Sequence, residues 1–391
     1  MTWELASFSP DLLREAAVEG ADVEIVQPGS PVRVTHVLDA VEPRIRPDGR
    51  RAFPTEGGAG EGRTNRLEGV VVLSCLDFPG EERPLHEQES IVDFGGPGAA
   101  LTPFADMTAV VLTFSPGEAG HVAIDAEARR TALRVAEEIA RGTLDAEPDE
   151  VERFELGPAD ASLPAVAALI QISDLGPLYI QYVYGLPAGE ARLPRAFDPA
   201  EVLDGAVTCG EYHWAAMRNP TVFFQRNELI RTLYREHGKT LRFAGVVLMR
   251  GYEQSAADKQ RAAERAAAVA GELGAEGVVI TTDAGGNSHT DVMLTCRACE
   301  QAGIRTTVVL AEETDPQSTK PILTDWVREA DSIVSTGNVE ELVEAWTPER
   351  VLGGDLLLDG APAAEAGPIP VRNYLGAANQ MGQLALSARA E

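Results

Sequence analysis

The sequence has no long apolar run. Stretches such as GVVVLSCL (69–76) are strand-sized, well short of the roughly 20 residues a membrane helix needs, and no membrane partner is expected. Positive charge is scarce. Against 61 Asp and Glu stand 33 Lys and Arg, a formal net charge of −28, with no basic patch to hold a phosphate backbone or an anionic surface against that mean field. Nucleic acid is excluded on the same ground. Cys75, Cys209, Cys296 and Cys299 are the only cysteines, too few and too unevenly spaced for a disulfide framework, so free thiols are expected. The histidines, at 36, 86, 121, 213, 237 and 289, form no His-x-x-x-His pair, and no Gly-x-Ser-x-Gly elbow occurs. Neither a metallohydrolase nor that hydrolase architecture has a foothold, and no metal is expected. The opening MTWELASFSPDLLREAAVEG has neither the basic head nor the apolar core of an export signal, which points to the cytoplasm.

What the chain does have is length and apolar content: 391 residues, 44% of them hydrophobic, enough for a large core and for two domains. The expected class is α/β: a mixed α/β N-terminal domain over 1–195, a junction over 196–239, and a Rossmann-like parallel-sheet domain over 240–391. In the first part, SPVRVTHVLDAVEPRIRPDG alternates and closes on a Pro-Asp-Gly turn, as paired strands do. DAEARRTALRVAEEIARGTL carries one apolar helical face with Gly142 near its end. After residue 240 strand and helix alternate. The strand LRFAGVVLM is followed by the helix SAADKQRAAERAAAVAGELG, the strand EGVVITT, the helix TDVMLTCRACEQAG and the strand IRTTVVLAEE. Then come a short helix near 322–330, the strand DSIVST and a helix near 339–346. That order predicts a parallel sheet with helices on both faces.

Ligands of such sheets gather at the carboxyl ends of the strands, which selects two loops. DAGGNSHTD (283–291) offers Gly285, Gly286, Asn287, Ser288, His289 and Asp291. Its glycines allow close backbone approach, Ser288 and Asp291 suit a capping box, and the free amides of the helix start suit a carboxylate or a phosphate. The same residues also make an ordinary turn and cap. Gly337 and Asn338, in STGN (335–338), line the same crevice. Cys296 and Cys299 share a helix face, compatible with packing, with redox work or with a metal. They lie about two turns inside the helix, where its dipole does little to lower a thiol pKa.

The segment DGAVTCGEYHWAAMRNPT (204–221) gathers Cys209, Glu211, Tyr212 and His213 at the junction. It reads either as a reactive pocket or as a well-packed joint. His213 and His289 are the histidines best placed for acid/base work.

With PGSPVRVTHVLDAVEPRI (28–45), GGPGAALTPF (95–104), YVYG (182–185), DGAV (204–207), NPT (219–221), LYREHGK (233–239), GGNSHTD (285–291) and TGN (336–338), the chain resembles the precursor subunit of component B of glycine, sarcosine and betaine reductases. The resemblance implies an oxidoreductase subunit in a hetero-oligomer, a thiol- or selenol-bearing partner subunit and a small amine or carboxylate substrate. It also implies a pyruvoyl group made by self-cleavage at a cysteine just after DGA. Laid without gaps between DGAV and NPT, the family's Asn-Cys pair falls on Glu211 and Tyr212. A phenol cannot reach the preceding carbonyl as a thiolate does, and tyrosine has no leaving group on its β carbon. No cofactor is therefore expected, and a pyruvoyl group only if the chain is cut at Cys209. In the altered site Cys209 stands as a covalent nucleophile with His213 nearby, as a structural thiol, or as a residual pyruvoyl precursor. The alternative functions are a non-catalytic scaffold that stabilises the catalytic partner and a free-standing Rossmann-like binding protein.

Overall fold

A computed structural model describes residues 2–14, 18–53, 58–77, 89–115, 121–174, 179–212, 219–283, 285–314, 323–357, 360–365 and 367–384. The fold is mixed α/β, with most strands in three larger sheets. In the first, strands run in the order β10 (Glu150–Glu155), β1 (Thr2–Phe8), β6 (Gly62–Leu67), β5 (Arg44–Ile45). In the second the order is β2 (Ala21–Val26), β9 (Thr108–Phe114), β7 (Val70–Leu76), β4 (Val37–Val41). The β7 run VVVLSCL is buried at every position, as a β-branched strand covered on both faces should be. Helix α1 (His121–Ile139) lays Ala128, Ala132, Val135 and Ile139 on this sheet. Gly142 lies just beyond it, in a 3-10 turn. A Cβ there would stand 2.1 Å from the Leu12 carbonyl oxygen, so the glycine answers close packing as much as helix ending. Smaller sheets join β21 (Arg350–Leu352), β3 (Val32–Val34) and β8 (Val92–Asp93), and pair β20 (Leu342–Val343) with β22 (Ile369–Pro370).

The sheet that positions the site has six strands, in the order β14 (Arg195–Phe197), β16 (Arg242–Gly251), β11 (Ala165–Ser173), β17 (Gly277–Thr281), β18 (Arg305–Glu312), β19 (Ile333–Asn338). All neighbours are parallel except β14, which runs antiparallel to β16. One face is covered by α5 (Ala256–Glu272) and α6 (Asn287–Gln301). Against the other pack α4 (Glu228–Glu236), residues of β1 and Met381 near the end of the chain. Strand β11 comes from the first half of the chain, so this sheet recruits residues from both sides of position 195. Ser255 caps α5 through its side chain, accepting from Asp258 N, and Gly274 adopts φ 73° just after the helix, as the start and stop pattern predicts.

Two expected helices do not form. Described residues 323–332 hold turns and extended chain, with Leu323, Val327 and Ala330 docked on the α5/α6 core. In the segment 339–346, Leu342 and Val343 pair with Pro370 and Ile369 instead. Each segment is short, and isolated helices of that length are marginal, so tertiary pairing overrides the local pattern. Among the described residues no helix is long and apolar enough to cross a membrane.

Candidate active site

Strands β11, β16 and β17 end side by side, and α6 starts beside them. Gly286 is the residue before the helix, with φ 64° and no side-chain cap, a conformation that favours glycine. The expected capping box is absent. Ser288 Oγ donates to the Gly285 carbonyl at 2.9 Å. Asp291 is drawn away from the helix start, accepting from Tyr252 N at 2.8 Å and from Lys259 Nζ of α5, also at 2.8 Å. A buried ion pair between helices thus displaces a local cap. Gln171 of β11 ties the edge together. Its Oε1 accepts from Thr282 Oγ1 (3.0 Å) and Asp283 N (3.4 Å), while its Nε2 donates to Ser288 O (3.2 Å). Tyr252 holds φ 60° at the end of β16 and places its hydroxyl 3.4 Å from Gly285 O. Burial raises that phenol's pKa, so it remains a proton donor at neutral pH.

The NPT motif joins this edge to the Cys209 segment. Strand β12 (Tyr179–Val183) pairs with β13 (Leu186–Pro187) on one side and β15 (Val207–Tyr212) on the other, with Gln181 opposite Cys209. Gln181 Nε2 donates to Asp283 Oδ1 at 3.3 Å. Asn219 Nδ2 donates to the same carboxylate and, at 2.6 Å, to the Asp283 carbonyl. Two residues on, at the start of α3 (Thr221–Gln225), Thr221 Oγ1 accepts from Cys209 N at 2.9 Å and donates to Asp39 Oδ2 at 2.7 Å. Asp39 also accepts from Thr221 N and Ala40 N. Complete burial pushes its carboxyl up to about 6, against the pull of these bonds and of Arg129. Arg129 in turn donates to the Cys209 carbonyl.

Among the described residues several buried polar atoms have no hydrogen-bond partner: Ser173 Oγ, Asn219 Oδ1, Thr281 Oγ1, both ring nitrogens of His289 and both amide atoms of Gln380. All five residues are at most 1% exposed. Burial pushes the His289 imidazole down to about 4, so it is neutral at pH 7. Native interiors leave very few such atoms unpaired. Ser173, Thr281 and His289, at the ends of β11 and β17 and the start of α6, together with Asn219, which is bonded to Asp283, mark an edge where water or a ligand completes them. Gln380 belongs to the segment between Ala378 and Met381, which packs against the sheet. Ala378 packs on Ala311 and Val339, and Met381 enters the core with Ile170 and Ile172. Thr281 lies level with Ile170 and Val309. Since Val278 and Ile280 face the α5/α6 core, strand alternation turns Thr281 to the opposite face, on which Met381 packs.

The residues expected from sequence separate accordingly. Gly285, Gly286, Asn287, Ser288 and His289 lie at this edge, with Asp291 one turn behind. Asn338 uses its amide on Thr314 and Glu340 N, and Gly337 beside it is exposed with φ 104°. Cys209 is 2% exposed, its Sγ 3.8 Å from Leu38 O. Glu211 and Tyr212 continue the β15 backbone. Their side chains and the whole of His213 lie outside the described residues. Cys296 and Cys299 are fully buried in the α5/α6 core, Cys296 Sγ 3.1 Å from Thr306 Oγ1. Burial raises both thiols, Cys299 to about 12, an environment that opposes redox chemistry. No disulfide links the cysteines, and no metal-holding cluster of His, Cys, Asp or Glu occurs among the described residues. Gln171, Gln181, Tyr252, Thr281 and Gln380 lie outside the motifs, and Asp283 was visible only as the first residue of DAGGNSHTD. Asn219 was visible only as part of NPT.

A family model described as glycine/sarcosine/betaine reductase component B subunits matches residues 7–371. The chain is 31% identical over 353 residues to the sarcosine reductase complex component B subunit alpha of Peptoclostridium acidaminophilum, covering 87% of this chain and 81% of the relative. It is 32% identical over 356 residues to the glycine reductase complex component B subunits alpha and beta of Acetoanaerobium sticklandii (88% and 81%). To the betaine reductase complex component B subunit alpha of Peptoclostridium acidaminophilum it is 31% identical over 395 residues (90% and 87%). No solved structure is significantly similar to it. Through nearly all of its length, the chain belongs to the glycine/sarcosine/betaine reductase component B family.

Proposed function

We propose that the chain is the substrate-holding subunit of a cytoplasmic reductase complex, acting as an unbroken polypeptide with a thiol- or selenol-bearing partner subunit on a small molecule that carries an amine and a carboxylate. The observation that carries this reading is the cluster of unpaired, buried polar atoms at the carboxyl edge of the six-stranded sheet, beside the α6 N-terminus. Amides of the first turn and a neutral His289 suit a carboxylate. In the chemistry proposed, the partner's sulfur or selenium forms a bond to the substrate carbon as the C–N bond breaks, and the electron pair leaves with nitrogen as the neutral amine. This subunit orients the substrate and excludes water.

The residues of β15 do not fit a pyruvoyl group. Tyr212 stands where the resemblance puts the cleavage cysteine. Cys209 lies within a paired strand, its amide held by Thr221, its carbonyl by Arg129 and its Sγ near Leu38 O. The same contacts favour Cys209 as a positioning residue for the β15 backbone over a covalent nucleophile. Intact-mass analysis is expected to show one polypeptide, with no carbonyl that borohydride reduces. Two fragments meeting at residue 209 or 212 would return the pyruvoyl mechanism. Cys209→Ser is expected to keep turnover of the complex within about tenfold, since a buried thiol-to-carbonyl contact is replaced by a hydroxyl that makes the same one. Loss on the scale of about 10³-fold or more, typical of nucleophile removal, would instead make Cys209 the reacting thiol. If the complex turns over equally well with the polar edge removed, the scaffold reading holds.

A further inference from the structure

The three larger sheets present six edge strands, and five of them are blunted. β4 and the two-residue β5 are buried. β14 has three residues, one of them Arg195. β2 carries Asp22 and Glu24, and β10 carries Glu150, Glu152, Arg153 and Glu155. Cover, short length and charge are the usual protections of an edge. β19 (IVSTGN) has none of them: six residues with no charge and no proline, Ile333 36% and Val334 39% exposed. Val308 N donates to Ser332 O, so the peptide groups of Val334 and Thr336 also turn towards β18, and those of Ile333 and Ser335 turn outward. Among the described residues no strand lies beyond β19, and none bonds the outward N–H and C=O of Ile333 and Ser335.

The surrounding charge decides what fits there. From 323 to 344 the chain carries Asp325, Glu329, Asp331, Glu340, Glu341 and Glu344 against one base, Arg328; of these acids, Glu340 is paired with Arg372. A second copy suits this edge badly. In a two-fold antiparallel pair centred on the strand, Asp331 of one chain would face Glu340 of the other, and like charges directly opposite destabilise a sheet. Each chain also has a net charge of −28. We propose that the free edge of β19 is a docking site for an extended segment of a different protein chain, with an uncharged, β-branched centre and Lys or Arg at its ends, which adds a seventh strand to the sheet. Backbone bonds to Ile333 and Ser335 hold the segment, Ile333 and Val334 offer apolar contact on the two faces, and the acids before and after the strand meet its basic ends. β18 separates this edge from β17 and the substrate-holding residues, so failure here leaves the substrate reading untouched.

Fluorescence anisotropy of the full-length protein with a labelled synthetic peptide, Thr-Val-Thr-Val-Thr between two lysines at each end, tests the proposal. The peptide is expected to bind at least about tenfold more tightly than the same core between glutamates, and the difference should shrink from about 0.05 to 0.5 M salt, as exposed charges are screened. Hydrogen exchange of the Ile333 and Ser335 amides is expected to slow in the complex. Ser335→Pro removes one outward N–H and leaves the ladder to β18 intact; it is expected to weaken the peptide at least about fivefold, the scale of one lost hydrogen bond. If that variant does not fold, Ile333→Lys, at an exposed position, sets a positive charge against the lysine ends and is expected to weaken binding by a similar factor. No binding of the lysine-flanked peptide at about 1 mM, equal binding of the glutamate-flanked one, or slowed exchange elsewhere with none in β19 overturns the proposal. So does a folded Ser335→Pro protein that binds as the parent does. Concentration-dependent dimerisation of the parent that Ser335→Pro abolishes overturns it in favour of a second copy.

Discussion

Glu42→Gln is expected to lower the unfolding free energy at pH 7 by about 3 kcal/mol, and the loss should vanish in acid. Glu42 lies 1% exposed where the first half of the chain meets the segment carrying β15. Burial alone would push its carboxyl up; Arg44, Arg66 and Arg226 outweigh it and hold the group down at about 2, against an ordinary 4.5. A shift of that size corresponds to about 3 kcal/mol, and loss of a buried partner from an ion pair costs a similar amount. Arg44 Nε donates to Glu42 at 2.7 Å, and its other nitrogens reach Leu203 O and Gln225 O. The carboxylate thus neutralises a guanidinium that clamps both sides of the junction. The folded pKa is depressed, so the contribution is complete above 4.5 and is lost as pH falls towards 2. Urea titrations of parent and variant should lie about 3 kcal/mol apart at neutral pH and converge over that interval. Parallel curves down to pH 2.5 would show that the charge contributes nothing.

The strand and helix alternation after residue 240 was legible because β16, α5, β17, α6 and β18 each carry their own period and their own stops. Membership of β11 in that sheet was not. AVAALIQIS reads as a buried strand in any sheet, and its partners, β16 and β17, lie some 70 to 110 residues further along the chain. The helices expected near 322–330 and 339–346 failed for the related reason that a short apolar pattern does not distinguish docking from helix formation. At the site, the glycine loop was legible through its φ requirement and its place after a strand. Gln380 and Thr281 were not. A glutamine near a chain end and a threonine closing a strand are ordinary on a surface, and only their burial without partners distinguishes them. Asp291 shows the converse: its spacing from Ser288 suited a cap, and Lys259, 32 positions away, took it instead.

Asn219→Asp is expected to cost about 3–5 kcal/mol at pH 7, the range for an uncompensated buried charge, and to lose that penalty in acid over a higher pH interval than Glu42→Gln does. Asn219 is fully buried, and its Nδ2 donates to both the carboxylate and the carbonyl of Asp283. The substitution keeps the shape and replaces that donor by a second carboxylate oxygen, so two negative charges meet where water cannot screen them. One of the two acids then retains a proton in the folded state. A carboxyl whose folded pKa is raised makes the native state bind more protons than the unfolded chain. Stability therefore falls as pH rises from the unfolded value near 4 towards the raised one, and it returns on acidification. Over pH 4 to 7 the penalty of Asn219→Asp should grow, whereas that of Glu42→Gln should stay close to its full value, because its titration lies lower. Asn219→Ala separates charge from contact: it loses only the hydrogen bonds, about 1–3 kcal/mol, with no added pH dependence. The contact joins the loop before α3 to the end of β17, so the same measurement tests the joint between them. If Asn219→Asp were as stable as the parent at pH 7, Asn219 and Asp283 would not be in contact, and the carboxyl edge would lack the joint that ties NPT to the end of β17.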